Sequence, residues 1–144
     1  MDSSSKFDLS RIAQADSFSA YNNIRVTKVG ADGVAEGVLT VTEHSLNPHG
    51  IVHGGCLASL ADTVAGWAVA RATGSACVTV NYGMNFLRPA KGSYKTITCR
   101  AEPEKLGRTL CVYRVTLSGD DGKEVATGNF TFFLTGGLLQ EQEK

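Results

Sequence analysis

A two-layer α+β domain, one antiparallel sheet with a single long helix laid against it, is the fold class that three features of the sequence predict. Residues 54–73 make one long apolar stretch at helical spacing. Six β-branched, alternating runs flank it, two before and four after. Glycine- and aspartate-rich turns, GADG at 30–33 and GDDG at 119–122, join neighbouring runs and favour antiparallel pairing. A helix of that length has nowhere to bury itself except against the sheet, and the order reads β-β-α-β-β-β-β.

With 144 residues the chain suits one domain with a real core. Residues 1–20 are expected to form an N-terminal arm or short helix, because FDLSRIAQADSFSA at 7–20 alternates at helical spacing. The body is expected over 21–136. In it IRVTKV and GVAEGVLTVT make the first hairpin, and EHSLNPHGIVHGG is a loop because Pro48 and Gly50 exclude a helix. The helix of 54–73 is closed by Gly74. Strands are expected at 76–87, 93–102, 108–118 and 123–134. Alternation places Val78, Val80, Tyr82, Met84 and Phe86 on one face, and Ala126, Gly128, Phe130, Phe132 and Leu134 on another. Residues 137–144 read as a polar, frayed tail.

Fourteen Lys and Arg balance fourteen Asp and Glu, so the chain lacks the basic footprint that binding to nucleic acid or an acidic membrane needs. Its four cysteines are widely spaced with no C-x-x-C, and MDSSSKFDLS lacks a secretory pattern, so free thiols in the cytoplasm are expected. No apolar run approaches the roughly 18 residues of a membrane span.

The helix carries one acid, Asp62, near its middle. Placed at 100° intervals, Leu57, Leu60, Ala61, Val64 and Ala68 form the sheet-packing stripe, and Asp62 points away from it among the small Ala58, Ser59, Ala65 and Gly66. Asp62 and Arg71 are the only charges from 54 to 73, and a helix so apolar all round is expected to be covered on its far side too, most simply by a second copy of the chain. A buried acid without a local partner points to function. Gly54 and Gly55 open the helix, where unpaired N–H groups can bind an oxyanion or polarise a carbonyl. Asp62 lies two turns further on, about 12 Å of helix rise, too far for both ends to grip one small group in the same chain. If they cooperate, they do so from different subunits.

His49 and His53 have zinc-like spacing, but Pro48, Gly50 and Gly54 forbid a regular helix there and no Cys or acid completes the set, so no metal is expected. His53 gains interest only by abutting the glycines, and His44 reads as structural or exposed. Asn47 opens the loop either as a turn former or as an orienting hydrogen bond to substrate. No G-x-S-x-G, phosphate-binding loop or dinucleotide glycine motif occurs. Arg88, Lys91, Lys105 and Arg108 stand at strand ends and turns, where they could meet phosphates or form a solvated rim.

The run NPHGIVHGGCLASLAD, as N-x5-H-G-G-x6-D, with VTVNYGMNFLRPAKG and the hairpin GRTL…VTL…DGKEVATGNFTFFL, resembles hotdog-fold acyl-CoA thioesterases of the phenylacetate-pathway (PaaI-like) type, within the 4-hydroxybenzoyl-CoA thioesterase superfamily. The resemblance covers residues 20–135 and implies a sheet wrapped around the central helix. It implies Asp62 as general base or nucleophile, and the partner's Gly54 N–H as donor to the thioester carbonyl. Asn47 and His53 match positions that hold the thioester, and Thr79 one whose hydroxyl positions water. Gly55, Arg88, Lys91 and Arg108 are the candidates for holding substrate, with coenzyme A as part of that substrate and no separate cofactor. Such proteins are dimers of dimers, so a homodimer is expected to complete the site within a homotetramer. Rival readings are a non-turnover acyl-CoA sensor, a hydratase, for which the helix lacks a histidine, and a structural protein. Trp67, Tyr82 and Met84 could line an acyl channel or pack the core.

Overall fold

The computed structural model describes residues 7–137. Most of the tail assigned to 137–144, and residues 1–6 of the arm, lie outside the described residues. Two short helices come first, α1 (Leu9–Ala15) and α2 (Ser17–Tyr21), capped by the carboxylates of Asp8 and Asp16. Then follow β1 (Ile24–Val29), β2 (Ala35–Thr40), a 3-10 turn (Glu43–Ser45), α3 (Gly54–Thr73), β3 (Cys77–Phe86), β4 (Thr96–Leu106), β5 (Leu110–Ser118) and β6 (Glu124–Leu134). The strands form one sheet in the order β1-β2-β4-β5-β6-β3, every neighbouring pair antiparallel. Helix α3 touches all six strands, so the sheet curls around it as the two-layer α+β, hotdog reading requires.

The helix is bounded where local chemistry dictates. The His53 side chain caps its start, and Gly74, at φ +73°, closes it with an N–H to the Ala70 carbonyl. Leu57, Leu60, Ala61, Val64 and Ala68 are buried against Leu39, Ile97, Cys99, Tyr113, Val115 and Phe130. Where α3 crosses β2, a Cβ on Gly37 would come within 2.5 Å of Val64 Cγ2, so this strand glycine sets the helix–sheet distance. The arm is packed rather than loose: Phe7 and Ile12 form a second apolar cluster with Val26 and Ala70, joined by Trp67.

Two strands depart from the sequence reading. β4 spans Thr96–Leu106, so it runs past the end expected at 102 and through Pro103. Its pairing with β2 ends at Ala101, so Pro103 sits where β4 has only β5 for a neighbour and its missing N–H breaks no ladder on the open side. In β3 the register shifts between Thr79 and Asn81, leaving Val80 as an extra residue. Cys77 and Thr79 therefore oppose Leu134 and Phe132 before the bulge, whereas Tyr82, Met84 and Phe86 oppose Phe130, Gly128 and Ala126 after it. The helix-facing set is thus Cys77, Thr79, Tyr82, Met84 and Phe86, and Val78 lies on the other face.

Tyr113 is fully buried and its hydroxyl donates to the Gly33 carbonyl at 2.6 Å, pinning the first hairpin turn to the central sheet. Burial pushes its phenol well above the ordinary range, so it remains a donor at all working pH values. Tyr113→Phe is expected to cost about 1–3 kcal/mol by stranding that carbonyl, read as a lower urea midpoint at unchanged m-value.

Candidate active site

Asp62 projects from α3 toward the edge strand β3, not into the sheet core. The bulge at Val80 turns Thr79 inward to meet it, and the Thr79 hydroxyl donates to Asp62 Oδ1 at 2.6 Å. That bond fixes one carboxylate oxygen and leaves Oδ2 to accept from another group. In the single chain Asp62 is half-buried and stands between two clefts that share Ser59, Asp62 and Thr79. One, of about 420 Å³, runs under α2 between Trp67, Cys77 and Phe132. The other, of about 470 Å³, runs toward the start of α3 past Ala58, Asn81 and Tyr82. The small residues around the acid, Ala58, Ser59 and Gly66, are what leave this space open.

Among the titratable groups of the first cleft, Cys77 is no competing nucleophile. Burial pushes its thiol up to about 11, and Sγ lies 3.8 Å from the Gly66 carbonyl, so it is a neutral thiol at pH 7. Cys56, near the helix start, is raised by burial as well. Asp62 is the carboxylate that lines both clefts.

The helix start can be accounted for donor by donor. His53 Nδ1 accepts from the Gly55 N–H at 2.8 Å, and the His53 carbonyl accepts from the N–H groups of Cys56 and Leu57. Gly54 N–H has no partner among the described residues, so it is the donor left for a ligand. With Nδ1 as acceptor, a neutral His53 carries its proton on the exposed Nε2, a second outward donor. The Phe86 ring lies over Gly54, where a Cβ would sit 3.3 Å from Cζ. The Gly55 N–H, by contrast, is engaged by the cap.

The preceding loop is held tightly. His53 N–H donates to Ser45 O and Val52 N–H to Ala90 O, and Ile51 bridges to Lys91. Asn47 Oδ1 accepts from the N–H groups of His49 and Ile51, the turn-forming role, and its amide NH₂ remains available to a ligand. His49 is exposed at the tip of that turn, and His44 is exposed beside Glu43. Arg88 and Lys91 follow β3 and stand at the Gly54 end of the sheet. Arg108, in the β4–β5 turn next to Leu110 and Phe133, stands at the other end, roughly 30 Å of strand away. One chain therefore does not gather the three cations. Nor does it gather Gly54 with Asp62, which remain two helical turns apart.

Among the described residues β3 pairs only with β6, and its outer edge is open. Val78, Val80, Tyr82, Phe86 and Leu87 along it are each more than half exposed. An open apolar edge of this length is a surface on which another strand pairs. No helix among the described residues is long and apolar enough to cross a membrane.

Comparison with known proteins places this architecture. The family model of the thioesterase superfamily matches residues 49–126, which hold α3, β3 and the loop between Asn47 and Gly54 almost entire. The chain belongs to the thioesterase superfamily, and within it to the PaaI-like hotdog thioesterases. Acyl-coenzyme A thioesterase PaaI of Escherichia coli is 36% identical over 95 residues, 66% of this chain and 66% of that protein. The solved structure of E. coli PaaI superposes with a TM-score of 0.79 at 29% identity, covering 91% of this chain and 99% of that one. A protein of Deinococcus radiodurans is 39% identical over 89 residues, 61% of this chain but only 59% of its own length. A hypothetical thioesterase protein of Streptococcus pneumoniae, solved with coenzyme A, matches with a TM-score of 0.79 at 31% identity over 91% of this chain and 99% of that one.

Asp62, Thr79 and Gly54 are thus residues that the sequence reading singled out. Asp16 and Phe18, which wall the first cleft, were not singled out, because they reach it from the arm by a contact that no local pattern announces.

Proposed function

We propose that the protein is a cytoplasmic acyl-CoA thioesterase whose site forms between two copies of the chain. The observation that carries this reading is the Thr79-braced carboxylate of Asp62 where two clefts meet, with the free Gly54 donor about 12 Å away in the same chain. Antiparallel pairing of two β3 edges would bring each helix start toward the other subunit's Asp62 and cover the exposed edge residues. Two such dimers make the expected tetramer. Coenzyme A, carried as part of the substrate with no other cofactor, would place its phosphates near Arg88, Lys91 and Arg108, the last supplied from the opposite end of the sheet by the partner. Asn47 and His53 would hold the thioester beside Gly54.

In the general-base form, Asp62 Oδ2 takes a proton from water as the water oxygen bonds to the thioester carbon. The carbonyl oxygen gains the negative charge and is met by the partner's Gly54 N–H. Collapse re-forms the carbonyl, breaks the C–S bond and returns the proton from Asp62 to the leaving thiolate. In the nucleophilic form, the Asp62 oxygen itself bonds to that carbon and the C–S bond breaks to release coenzyme A as thiolate, leaving a mixed anhydride. Water then cleaves the anhydride, frees the carboxylic acid and Asp62, and supplies the proton that the thiolate takes. Thr79→Ala is expected to lower kcat about 10- to 100-fold, the worth of a hydrogen bond to a charged group, and Thr79→Ser to keep most of it.

The test is free-thiol release from phenylacetyl-, hydroxybenzoyl-, hexanoyl- and palmitoyl-CoA. Turnover of at least one ester is expected. Binding of these esters without turnover would replace the enzyme with an acyl-CoA sensor, and absence of binding would overturn both.

A further inference from the structure

The cleft of about 420 Å³ beside Asp62 contains a second carboxylate, Asp16, contributed by the N-terminal arm. Its position is fixed: Oδ1 accepts from the Ser19 N–H at 3.0 Å and Oδ2 from the Ser19 hydroxyl at 2.7 Å. Ser19 is buried, and its hydroxyl oxygen lies 3.2 Å from Thr63 Oγ1, the residue next to Asp62 on α3. Because the Ser19 proton is committed to Asp16, Thr63 is the donor in that contact. The chain Thr63–Ser19–Asp16 thus ties the arm to the helix at the site, and Asp16 and Thr63 both line the cleft. No Lys or Arg is among the described residues lining this cleft, and no ion pair within 4 Å involves Asp16 among the described residues.

We infer that Asp16 is a specificity-determining residue that rejects acyl groups with a negatively charged end, so the acyl class taken here is uncharged or hydrogen-bond-donating at its tip. This rests on the thioesterase reading, with the acyl group taken to enter the cleft under α2, whose walls include Phe18, Trp67 and Phe132. Asp16 and Asp62 already line this cleft, with no cation among its described lining residues, and a charged acyl end would add a third like charge. A neutral tip adds no charge and incurs no such repulsion.

The experiment compares kcat/KM for succinyl-, adipoyl- and suberoyl-CoA with that for their ω-amides, which match them in shape but lack the charge. Each comparison is a ratio, so the charge of coenzyme A and general losses of activity cancel. The wild type is expected to favour the amide by about tenfold or more at the length that reaches Asp16, and to do so less as salt is raised. Asp16→Asn keeps the helix cap, since Asn caps as well as Asp, and is expected to bring that ratio to about threefold or below. Equal ratios in wild type and variant at every length would overturn the inference. Failure to hydrolyse these amides or any of the four esters named above would instead overturn the thioesterase reading, whereas hydrolysis of those esters but of no amide would overturn the inference, so the two failures are distinct.

Discussion

Asp62→Asn is expected to reduce kcat by about 10²- to 10⁴-fold on every acyl-CoA that the wild type turns over, the range spanned by a general base. The substitution is a clean one at this position. The asparagine carbonyl can still accept from the Thr79 hydroxyl, which holds Asp62 Oδ1 at 2.6 Å, so the side chain keeps its place between the two clefts. What it loses is the ability to take a proton or to act as a nucleophile. Affinity for a non-hydrolysable thioether analogue of the substrate is therefore expected to change little, which separates lost chemistry from lost binding. Cys77 cannot substitute, because burial holds it as a thiol with its pKa pushed up to about 11. A variant that kept more than a tenth of wild-type kcat at unchanged fold would remove Asp62 from the mechanism.

The parts of the site that the sequence made legible are those set by chain-local geometry. A helix rises about 1.5 Å per residue whatever surrounds it, so the distance between Gly54 and Asp62 follows once 54–73 is read as helical. The stripe of Leu57, Leu60, Ala61, Val64 and Ala68 is likewise a matter of period, and all five are buried. The register of β3 was not legible. A bulge is a property of two strands together, and Val80, a good strand residue, carries no glycine or proline to announce it. Straight alternation grouped Val78 and Val80 with Tyr82 and left Thr79 facing the other way. The bulge reverses that parity and delivers Thr79 to Asp62, so the irregular residue is the one that assembles the site. The end of β4, expected at 102, was not legible for a related reason. A strand can continue through a proline where it is paired on one side only, and which side of β4 is open at Pro103 depends on where β2 ends. The wall formed by Asp16 and Phe18 depends on docking of the arm, a long-range event that helical spacing within 7–20 does not encode.

Gly54→Pro tests the other half of the site, and its expected effect is a fall in kcat of about 10²- to 10³-fold, the cost of removing one oxyanion donor. The local structure makes this proline a better probe than a mid-helix one. Gly54 is the first residue of α3, where proline is favoured because its N–H has no helical partner. His53, at φ −61° and ψ 135°, already has the extended conformation that a residue before proline requires. Gly54→Ala is the matched control: it adds a Cβ against the same Phe86 Cζ, at 3.3 Å, but retains the N–H. Alanine is expected to cost far less than proline, and equal losses would assign the effect to crowding by Phe86 rather than to a donor. Combining the two lesions in one dimer then decides where the site lies. A dimer of one Asp62→Asn chain and one Gly54→Pro chain has both lesions in one site and neither in the other, provided that each site draws its acid and its donor from different subunits. Random co-assembly of two inactive proteins is then expected to recover about a quarter of wild-type activity, half the dimers being mixed and half of their sites intact. If acid and donor come from the same chain, every site in the mixture carries one lesion and no activity returns. Recovery would fix the division of labour between subunits by a measurement that neither variant alone can supply, because it depends on the pairing of chains and not on the size of either loss.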